Sequence, residues 1–521
     1  MTSFAASPRR TTAKLPILGA VCLAALAMPF SFTAPALALQ AIEHTLGGTP
    51  LALVWVTNAF MLGFGSCLMA FGALADRCGR KRVFLAGTLA FALASLCATR
   101  ASSVVWLDWL RAAQGIAGAA ALSAGAAALA QEFDGHERTR AFSLLGTTFG
   151  VGLACGPLVA GWLIEHFGWR SVFVGTAVLT TLAVSAGTRY MRETRDPAAL
   201  GFDWLGAATF TAALALFTCA VLDAPSNGWD SARVITLLAA SSVFAAAFVI
   251  VEGRVRQPML DLSLFRYARF VGVQFLAAAP AYSYVVLLVL LPVRFVGIEG
   301  HDTVTAGRMM FALSAPMLVV PLVAGWLARR MSAGVVAGAG LLICAIGQLW
   351  LAQCAPGQSS SALYAAMATI GCGIGLPWGL MDGLAVSVVP KERAGMAAGI
   401  FNTTRVAGEG VALAVVAALL AGLVAAQLHG FAQGAVLREA AGRLAMGDLA
   451  GALSNLPQAN RASLVAGYGE AFRVLLRALA CVTVLSAATV FGFLGRTPDH
   501  APIEADAEPA PQASRIEARM Q

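Results

Sequence analysis

Apolar stretches long enough to cross a lipid bilayer recur along the whole chain and constrain its fold more than any other feature. A helix needs about 20 consecutive apolar residues to span the hydrocarbon core. Of the 521 residues, 59% are hydrophobic and 12% are charged, and the mean hydropathy is +0.76. Because a spanning segment must pair its own backbone groups, these stretches predict helices. The expected fold class is an all-α integral membrane protein.

The apolar stretches predict 14 spanning helices. They are expected near residues 15–38, 52–72, 83–101, 104–130, 141–164, 170–190, 204–222, 234–252, 270–294, 304–327, 334–353, 361–388, 395–425 and 474–495. Residues 426–473 contain Gly, Pro and Asn and are predicted to form a partly helical extracytoplasmic loop. Residues 496–521 are rich in Pro, Ala and Glu and are predicted to be a disordered cytoplasmic tail.

Lysine and arginine are concentrated in alternate loops, around Arg80, Arg192, Arg254 and Arg329. Short loops rich in these residues stay on the cytoplasmic side of a membrane. We therefore expect both termini, including residues 1–14, to be cytoplasmic and the protein to lie in the cell inner membrane. The net charge of +8 is spread over these loops rather than gathered in one stripe, which argues against a nucleic-acid partner.

The sequence also argues against several chemistries. The ten cysteines occur singly, without a C-x-x-C motif, which is typical of small apolar side chains and predicts no metal site. No G-x-x-x-x-G-K, G-x-S-x-G or H-E-x-x-H motif occurs. An ATP-driven pump and an enzyme are therefore disfavoured, and no cofactor is expected. A sensor without transport activity is the alternative from another class.

Two short motifs repeat at nearly the same separation along the chain. GALADR from Gly72 matches GWLARR from Gly325, and ERTRA from Glu137 matches ERAGM from Glu392. The repeat predicts a six-helix bundle over residues 15–190 and a second over 270–495. Residues 191–269 are then a linker that carries an inserted pair, helices 7 and 8. Parallel repeats of this kind form two bundles around a midplane site in transporters.

Charge is unexpectedly dense in the first copy of the repeat, ALADRCGRKR over residues 73–82. The basic residues orient the loop, but an acid adds nothing to that signal. We expect Asp76 to accept hydrogen bonds from a helix amino terminus of the other bundle and so to favour one arrangement of the bundles. The candidate residues of this conformational switch are Gly72, Asp76, Arg77, Gly79 and Arg80.

Several motifs resemble those of the major facilitator superfamily, in its fourteen-span drug:proton antiporter branch. GALADRCGRKR from Gly72 is similar to the loop between helices 2 and 3, and LRAAQGIAGAA from Leu110 to the helix-4 motif. GVGLACGPLVAG from Gly150 is similar to the antiporter motif of helix 5. Its residues are Gly152, Gly156, Pro157 and Gly161. FDWLGA from Phe202 and VRQPMLDLSLF from Val255 resemble the segments that flank the inserted pair.

The resemblance implies the major facilitator fold and a secondary transporter that exports amphipathic organic compounds or drugs in exchange for protons. It implies a small-molecule substrate, protons and the lipid bilayer as partners, and leaves open whether other efflux components take part. The alternative is a dedicated exporter or importer of one metabolite, such as a siderophore, a secondary product or an organic acid. Two positions depart from the family pattern, since Ala160 precedes Gly161 and Ser31 stands where an acid is expected in helix 1.

Coupling to protons needs a titratable group within the membrane, where a charge costs about 2.5–3.5 kcal/mol at a helix centre, and four charged residues inside predicted spans are the candidates. They are Arg111, Asp382, Arg405 and Glu409. The resemblance associates Arg111 with proton transfer. We hypothesise that Glu409, with Asp382, replaces the missing helix-1 acid as proton carrier, with Arg405 and Arg111 acting on both acids. The alternatives are a simple pair between Arg405 and Glu409 and hydration of Asp382 near a helix end.

Polar and aromatic residues at midplane depth are candidates for the substrate cavity, since a mixed apolar and aromatic site suits amphipathic compounds. Ordinary helix packing is the alternative for each of them. The candidates are Gln40, Asn58, Met61, Gln114, Tyr282, Tyr284, Trp378 and Asn402.

Overall fold

The computed structural model describes residues 14–133, 135–195, 203–255, 260, 262–357, 361–389 and 394–495. Within these residues, 14 helices are long and apolar enough to cross a membrane. The predicted fold class and the number of spans are therefore confirmed.

The first eight spanning helices precede the second copy of the repeat. They are α1 (Lys14–Leu46), α2 (Pro50–Cys78), α3 (Arg80–Ala98), α4 (Val104–Glu132), α5 (Gly135–Phe167), α6 (Arg170–Tyr190), α7 (Trp204–Asn227) and α8 (Ala232–Glu252). The remaining six are α9 (Ala268–Ile298), α10 (Thr303–Leu327), α11 (Ala333–Leu351), α12 (Ser361–Ala385), α13 (Ala394–Leu428) and α14 (Arg461–Leu494). Two shorter helices, Gly434–Ala445 and Leu449–Asn455, lie between α13 and α14.

Polar side chains mark the starts of many spanning helices. The first backbone N–H groups of a helix lack partners within it, and a side-chain oxygen at the preceding residue accepts from them. The residues that act in this way are Thr49, Ser103, Asp203, Ser231, Asp302, Ser332 and Asn460.

The predicted start of the last span, residue 474, is wrong, because α14 begins at Arg461. Asn460 and Ser463 form a reciprocal capping box that fixes this start. Glu470 and Arg473 lie in the third and fourth turns of α14 and form an ion pair on the helix surface. These charges lower the local hydropathy, which is why the apolar pattern begins only after them. The expected loop over residues 426–473 is partly helical, as predicted, and shorter. The tail over 496–521 lies outside the described residues.

The helices pack in two groups that match the repeat. In the first group α1 packs on α5 and α6, and α4 packs on α2 and α3. In the second group α11 packs on α12 and α14, and α13 packs on α9 and α14. The first copy of GALADR lies in the last turns of α2, which ends at Cys78, and the second copy begins at the end of α10, which ends at Leu327. Helices α7 and α8 pack on each other, and α7 also contacts α2 and α13.

Glycines bring the two groups into close contact, as small residues do between membrane helices. Helix α5 of the first group packs on α10 of the second, and α2 packs on α13. A Cβ atom at Gly65 would lie 2.8 Å from the Cα atom of Ala407, and one at Gly307 would lie 2.7 Å from the carbonyl oxygen of Pro157. These contacts involve backbone atoms, so they leave no room for a larger residue.

Replacement of Gly65 by Ala is expected to lower the free energy of unfolding by about 1–3 kcal/mol, because the added methyl group meets the α13 backbone. Gly422→Ala in α13 is the matched control, since a Cβ atom there meets no atom within 4 Å. Alanine is also the better helix former, so the control should be neutral or stabilising. Thermal unfolding in detergent tests this, and equal stability of the two variants would contradict the close packing of α2 on α13.

Candidate functional site

A cavity lies between the two groups, at the level where α1, α2, α5, α9 and α13 face one another. Its lining residues are Met28, Pro29, Phe32, Phe60, Met61, Phe64, Phe149, Leu153, Val285, Trp378, Arg405, Val406 and Glu409. The cavity has a volume of about 30 Å³. The cavity is therefore narrow in this conformation, and its wall is apolar and aromatic except at Arg405 and Glu409.

The polar side of the cavity is built by α12 and α13. The guanidinium of Arg405 lies 3.6 Å from the Asp382 carboxylate and donates to the Asn402 amide oxygen at 2.9 Å. It also lies over the indole ring of Trp378, 5.6 Å from the ring centre. Four residues that the sequence singled out thus converge, although two of them belong to a different helix.

Glu409 lies one turn beyond Arg405 on the same face of α13. Its side chain is buried, and its carboxyl group interacts electrostatically with the guanidinium of Arg405. Asp382, in contrast, has a side chain that is 58% exposed. Arg405 thus stands between an exposed carboxylate and a buried carboxyl that lines the cavity.

Arg111 is fully buried inside the first group rather than at the cavity wall. Its guanidinium donates to the backbone oxygen of Val56 at 2.8 Å, to the Ser31 hydroxyl at 2.8 Å and to the Gln114 amide oxygen at 2.8 Å. It also lies 4.6 Å from the centre of the Phe60 ring, which lines the cavity. Arg111 therefore contacts the cavity wall through an aromatic ring.

A fourth hydrogen bond of Arg111 follows from a proline in α1. Pro35 has no N–H group, so the helix cannot pair the carbonyl oxygen four residues earlier, at Ser31. Arg111 donates to this oxygen at 2.9 Å. Serine at the position where the family carries an acid therefore leaves Arg111 bound to neutral oxygens of α1 and α2.

The antiporter motif of α5 faces helices of both groups. A Cβ atom at Gly152 would lie 2.7 Å from the Pro29 side chain, and one at Gly156 would lie 2.8 Å from the Thr33 hydroxyl, both in α1. Gly161 lies against α10, where the Thr303 hydroxyl donates to its carbonyl oxygen at 3.3 Å.

The carbonyl of Pro157 approaches Gly307 of α10. The motif therefore packs on the proline-containing α1 on one side and on the second group on the other.

The loop between α2 and α3 packs against the end of α6. Asp76 accepts hydrogen bonds from Arg80 at 2.7 and 2.9 Å, so its carboxylate is occupied within the loop. Lys81 donates to the backbone oxygen of Thr188 at 3.0 Å. Gly79 has a φ of 113°, a conformation that favours glycine. The expected contact of Asp76 with a helix terminus of the other group stays a prediction.

Gly72 and Arg77 frame this loop at the end of α2. A Cβ atom at Gly72 would meet only the Ser123 side chain of α4, at 4.0 Å. Arg77 is the basic residue of the last turn of α2.

The predicted cavity residues separate into two sets. Met61 and Trp378 line the cavity, Asn402 bonds to Arg405, and Asn58 lies beside Met61 in a closely packed neighbouring region between α2, α7 and α13. The others form hydrogen bonds elsewhere in the protein. Gln40 bonds to Gly447, Gln114 to Ser95, Tyr282 to Ser486 and Tyr284 to Ser314.

The sequence did not single out the phenylalanines of the wall. Phe60 and Phe64 are stacked with ring centres 5.7 Å apart, and Phe32 and Phe149 face them across the cavity lining. The spacing of four residues between Phe60 and Phe64, with Met61 between them, places one continuous face of α2 toward the cavity. This face of α2 is the feature of the sequence from which the aromatic wall could have been predicted.

Comparison with known proteins gives the family. The model of the Major Facilitator Superfamily matches residues 19–413. The multidrug resistance protein Stp of Mycobacterium tuberculosis is 31% identical over 395 residues, which cover 75% of this chain and 73% of that protein. The multidrug efflux pump LfrA of Mycolicibacterium smegmatis is 27% identical over 496 residues, 92% of this chain and 97% of that protein. The cephamycin export protein CmcT of Amycolatopsis lactamdurans is 33% identical over 417 residues, 78% of this chain and 85% of that protein.

Solved structures agree on the fold. A bacterial homologue of the human lysosomal transporter Spinster, in an inward-facing and unoccupied conformation, has a TM-score of 0.64 at 17% identity and covers 93% of this chain and 98% of its own. A D-xylose-proton symporter has a TM-score of 0.62 at 15% identity and covers 94% and 100%. The family model that matches residues 19–413, together with relatives more than 30% identical, shows that this multi-pass membrane protein, with 14 apolar helices among its described residues, is a transporter of the Major Facilitator Superfamily and not an enzyme.

Proposed function

We propose that the protein exports amphipathic organic compounds from the cell in exchange for protons, by alternating access of the central cavity. The observation that carries the proposal is the buried Glu409, which shares a largely aromatic cavity with Arg405. A buried carboxylate costs free energy unless it is protonated or paired with a positive charge. Glu409 can therefore be neutralised either by a proton or by a bound cationic compound, and each excludes the other. The relatives named as multidrug efflux and antibiotic export proteins support the same activity.

The proposed energy source is the proton gradient. One charge that crosses about 100 mV releases about 2.3 kcal/mol. This corresponds to a substrate gradient of roughly 50-fold, since each 1.4 kcal/mol is a factor of ten. Arg405 and the exposed Asp382 form the proposed route from Glu409 to water.

Replacement of Glu409 by Gln is expected to abolish proton-driven flux of a cationic dye into inverted vesicles, because the amide cannot carry a proton. Exchange of dye across the membrane without a proton gradient should remain. Glu470→Gln is the matched control, since Glu470 pairs with Arg473 on the exposed surface of α14. Gradient-driven flux by the Glu409→Gln variant at the control's rate would eliminate Glu409 as proton carrier.

The proposed topology places both termini and the basic loops in the cytoplasm, with the protein in the inner membrane and residues 426–473 outside. The proposed halves are residues 15–190 and 270–495, joined by 191–269. Support comes from the positive charge of alternate loops and from the packing of the helices in two groups.

Single cysteines in a variant without native cysteines test the topology. Cysteines at Arg77 and Arg329 are expected to react with a membrane-impermeant thiol reagent in inverted vesicles and to be protected in intact cells. His44 is exposed and lies in the last turn of α1, at the end that the proposed topology places outside. A cysteine at this position should show the opposite pattern. Labelling of residues 77 and 329 from opposite sides would remove the proposed symmetry.

A dedicated exporter of one compound is the second candidate. Relatives named as a cephamycin export protein and as a probable actinorhodin transporter favour it. Growth of cells with and without the protein on a panel of unrelated toxic compounds separates the two. Resistance to many compounds supports broad export, and resistance to one supports the dedicated exporter.

A further inference from the structure

The two groups of helices also meet at the end that the proposed topology places outside. There the last turns of α1 contact the turn between the two short helices. Gln40 donates to the carbonyl oxygen of Gly447 at 2.5 Å. A Cβ atom at Gly297 of α9, in the second group, would lie 2.5 Å from the amide nitrogen of Gln40 in α1 and 2.6 Å from the Cα atom of Gly447, whose φ of 85° favours glycine. The two groups are therefore joined closely at this end.

Two carboxyl groups face each other in this contact. The side chain of Glu43 in α1 lies within hydrogen-bonding range of the side chain of Asp448, which begins the helix Leu449–Asn455. Two carboxylates repel each other at such a distance, so the pair holds one proton between them. Closure of this contact and binding of a proton are therefore linked.

The surroundings decide which carboxyl carries the proton. Asp448 accepts from the backbone N–H of Gly451 at 2.7 Å and from the Arg443 guanidinium at 3.1 Å. The bond to Asp448 raises the pKa of Arg443, so this guanidinium stays charged. Asp448 is thus held as the acceptor, and Glu43 is the carboxyl that donates.

The other charged groups of the contact are already engaged or exposed. Glu439 accepts from Arg443 at 3.2 Å on the surface of the helix Gly434–Ala445. His44 follows Glu43 and is exposed. The α9 end of the contact is formed by Gly297, and its nearest charges, Arg294 and Glu299, are paired with each other at 2.7 Å.

We propose that Glu43 and Asp448 form a pH-sensitive contact that closes the outer end of the transporter when it holds a proton and opens when the proton is lost. Acid favours the closed contact because the paired arrangement needs the proton and the separated arrangement does not. The direction of use rests on the proposed proton-coupled export. An external proton closes the outer end after the substrate has left, and the cavity then returns to the inside.

The test measures the distance between spin labels on Phe167→Cys and Val436→Cys, two exposed positions of α5 and of the helix Gly434–Ala445. It uses the full chain in nanodiscs, without native cysteines, substrate or gradient. The closed population is expected to fall at least about threefold between about pH 5 and about pH 8, a range over which a paired carboxyl titrates.

Glu43→Gln is expected to stay closed at both pH values, because its amide donates to Asp448 without a titrating proton. Asp448→Asn, which also caps the helix, should likewise lose the pH response. Glu470→Gln is the control and should respond as the unmodified chain does. An unchanged distance in the unmodified chain, or a pH response that survives in both Glu43→Gln and Asp448→Asn, would overturn the proposal. Because no transport is measured, this result is independent of the flux assay on Glu409.

Discussion

The lack of water inside a bilayer is the constraint on which the rest of this structure depends, since each backbone polar group must be paired within the protein. Pro35 breaks that pairing in α1 by leaving the Ser31 carbonyl without its helical donor. The buried Arg111 supplies the missing donor and bonds α2 at the same time. A residue associated in the family with proton transfer is thus also a structural link between α1, α2 and α4.

The two groups meet through close backbone contacts and a small number of hydrogen bonds. Glycines bring backbone against backbone where α2 meets α13 and where α5 meets α10. Hydrogen bonds join the groups at one end, through Gln40 and Thr303. The cavity between them, with a volume of about 30 Å³, has to widen to accept a drug-sized compound, which typically fills a pocket of about 300–1,000 Å³. The two groups therefore have to move apart before the cavity can hold such a compound.

The sequence predicted the spans because the thickness of the bilayer acts on local composition. It also singled out Asp382, Arg405 and Glu409, since charges are rare within spans, and the structure brings these three residues close together. It missed the start of α14 because Glu470 and Arg473 lower the hydropathy of helical turns that lie at the membrane end. The sequence did not predict the pairing of Glu43 with Asp448, because contacts between distant segments depend on how the helices pack.

The central claim is that a proton and the exported compound exclude each other from one cavity beside Glu409. Proton release on substrate binding tests it most directly, with purified protein in weakly buffered detergent solution and a pH-sensitive dye. The account predicts that a bound cationic compound releases protons, and that release disappears in Glu409→Gln while binding persists. Binding without proton release by the unmodified protein, at a pH where Glu409 is protonated in the empty cavity, would contradict it.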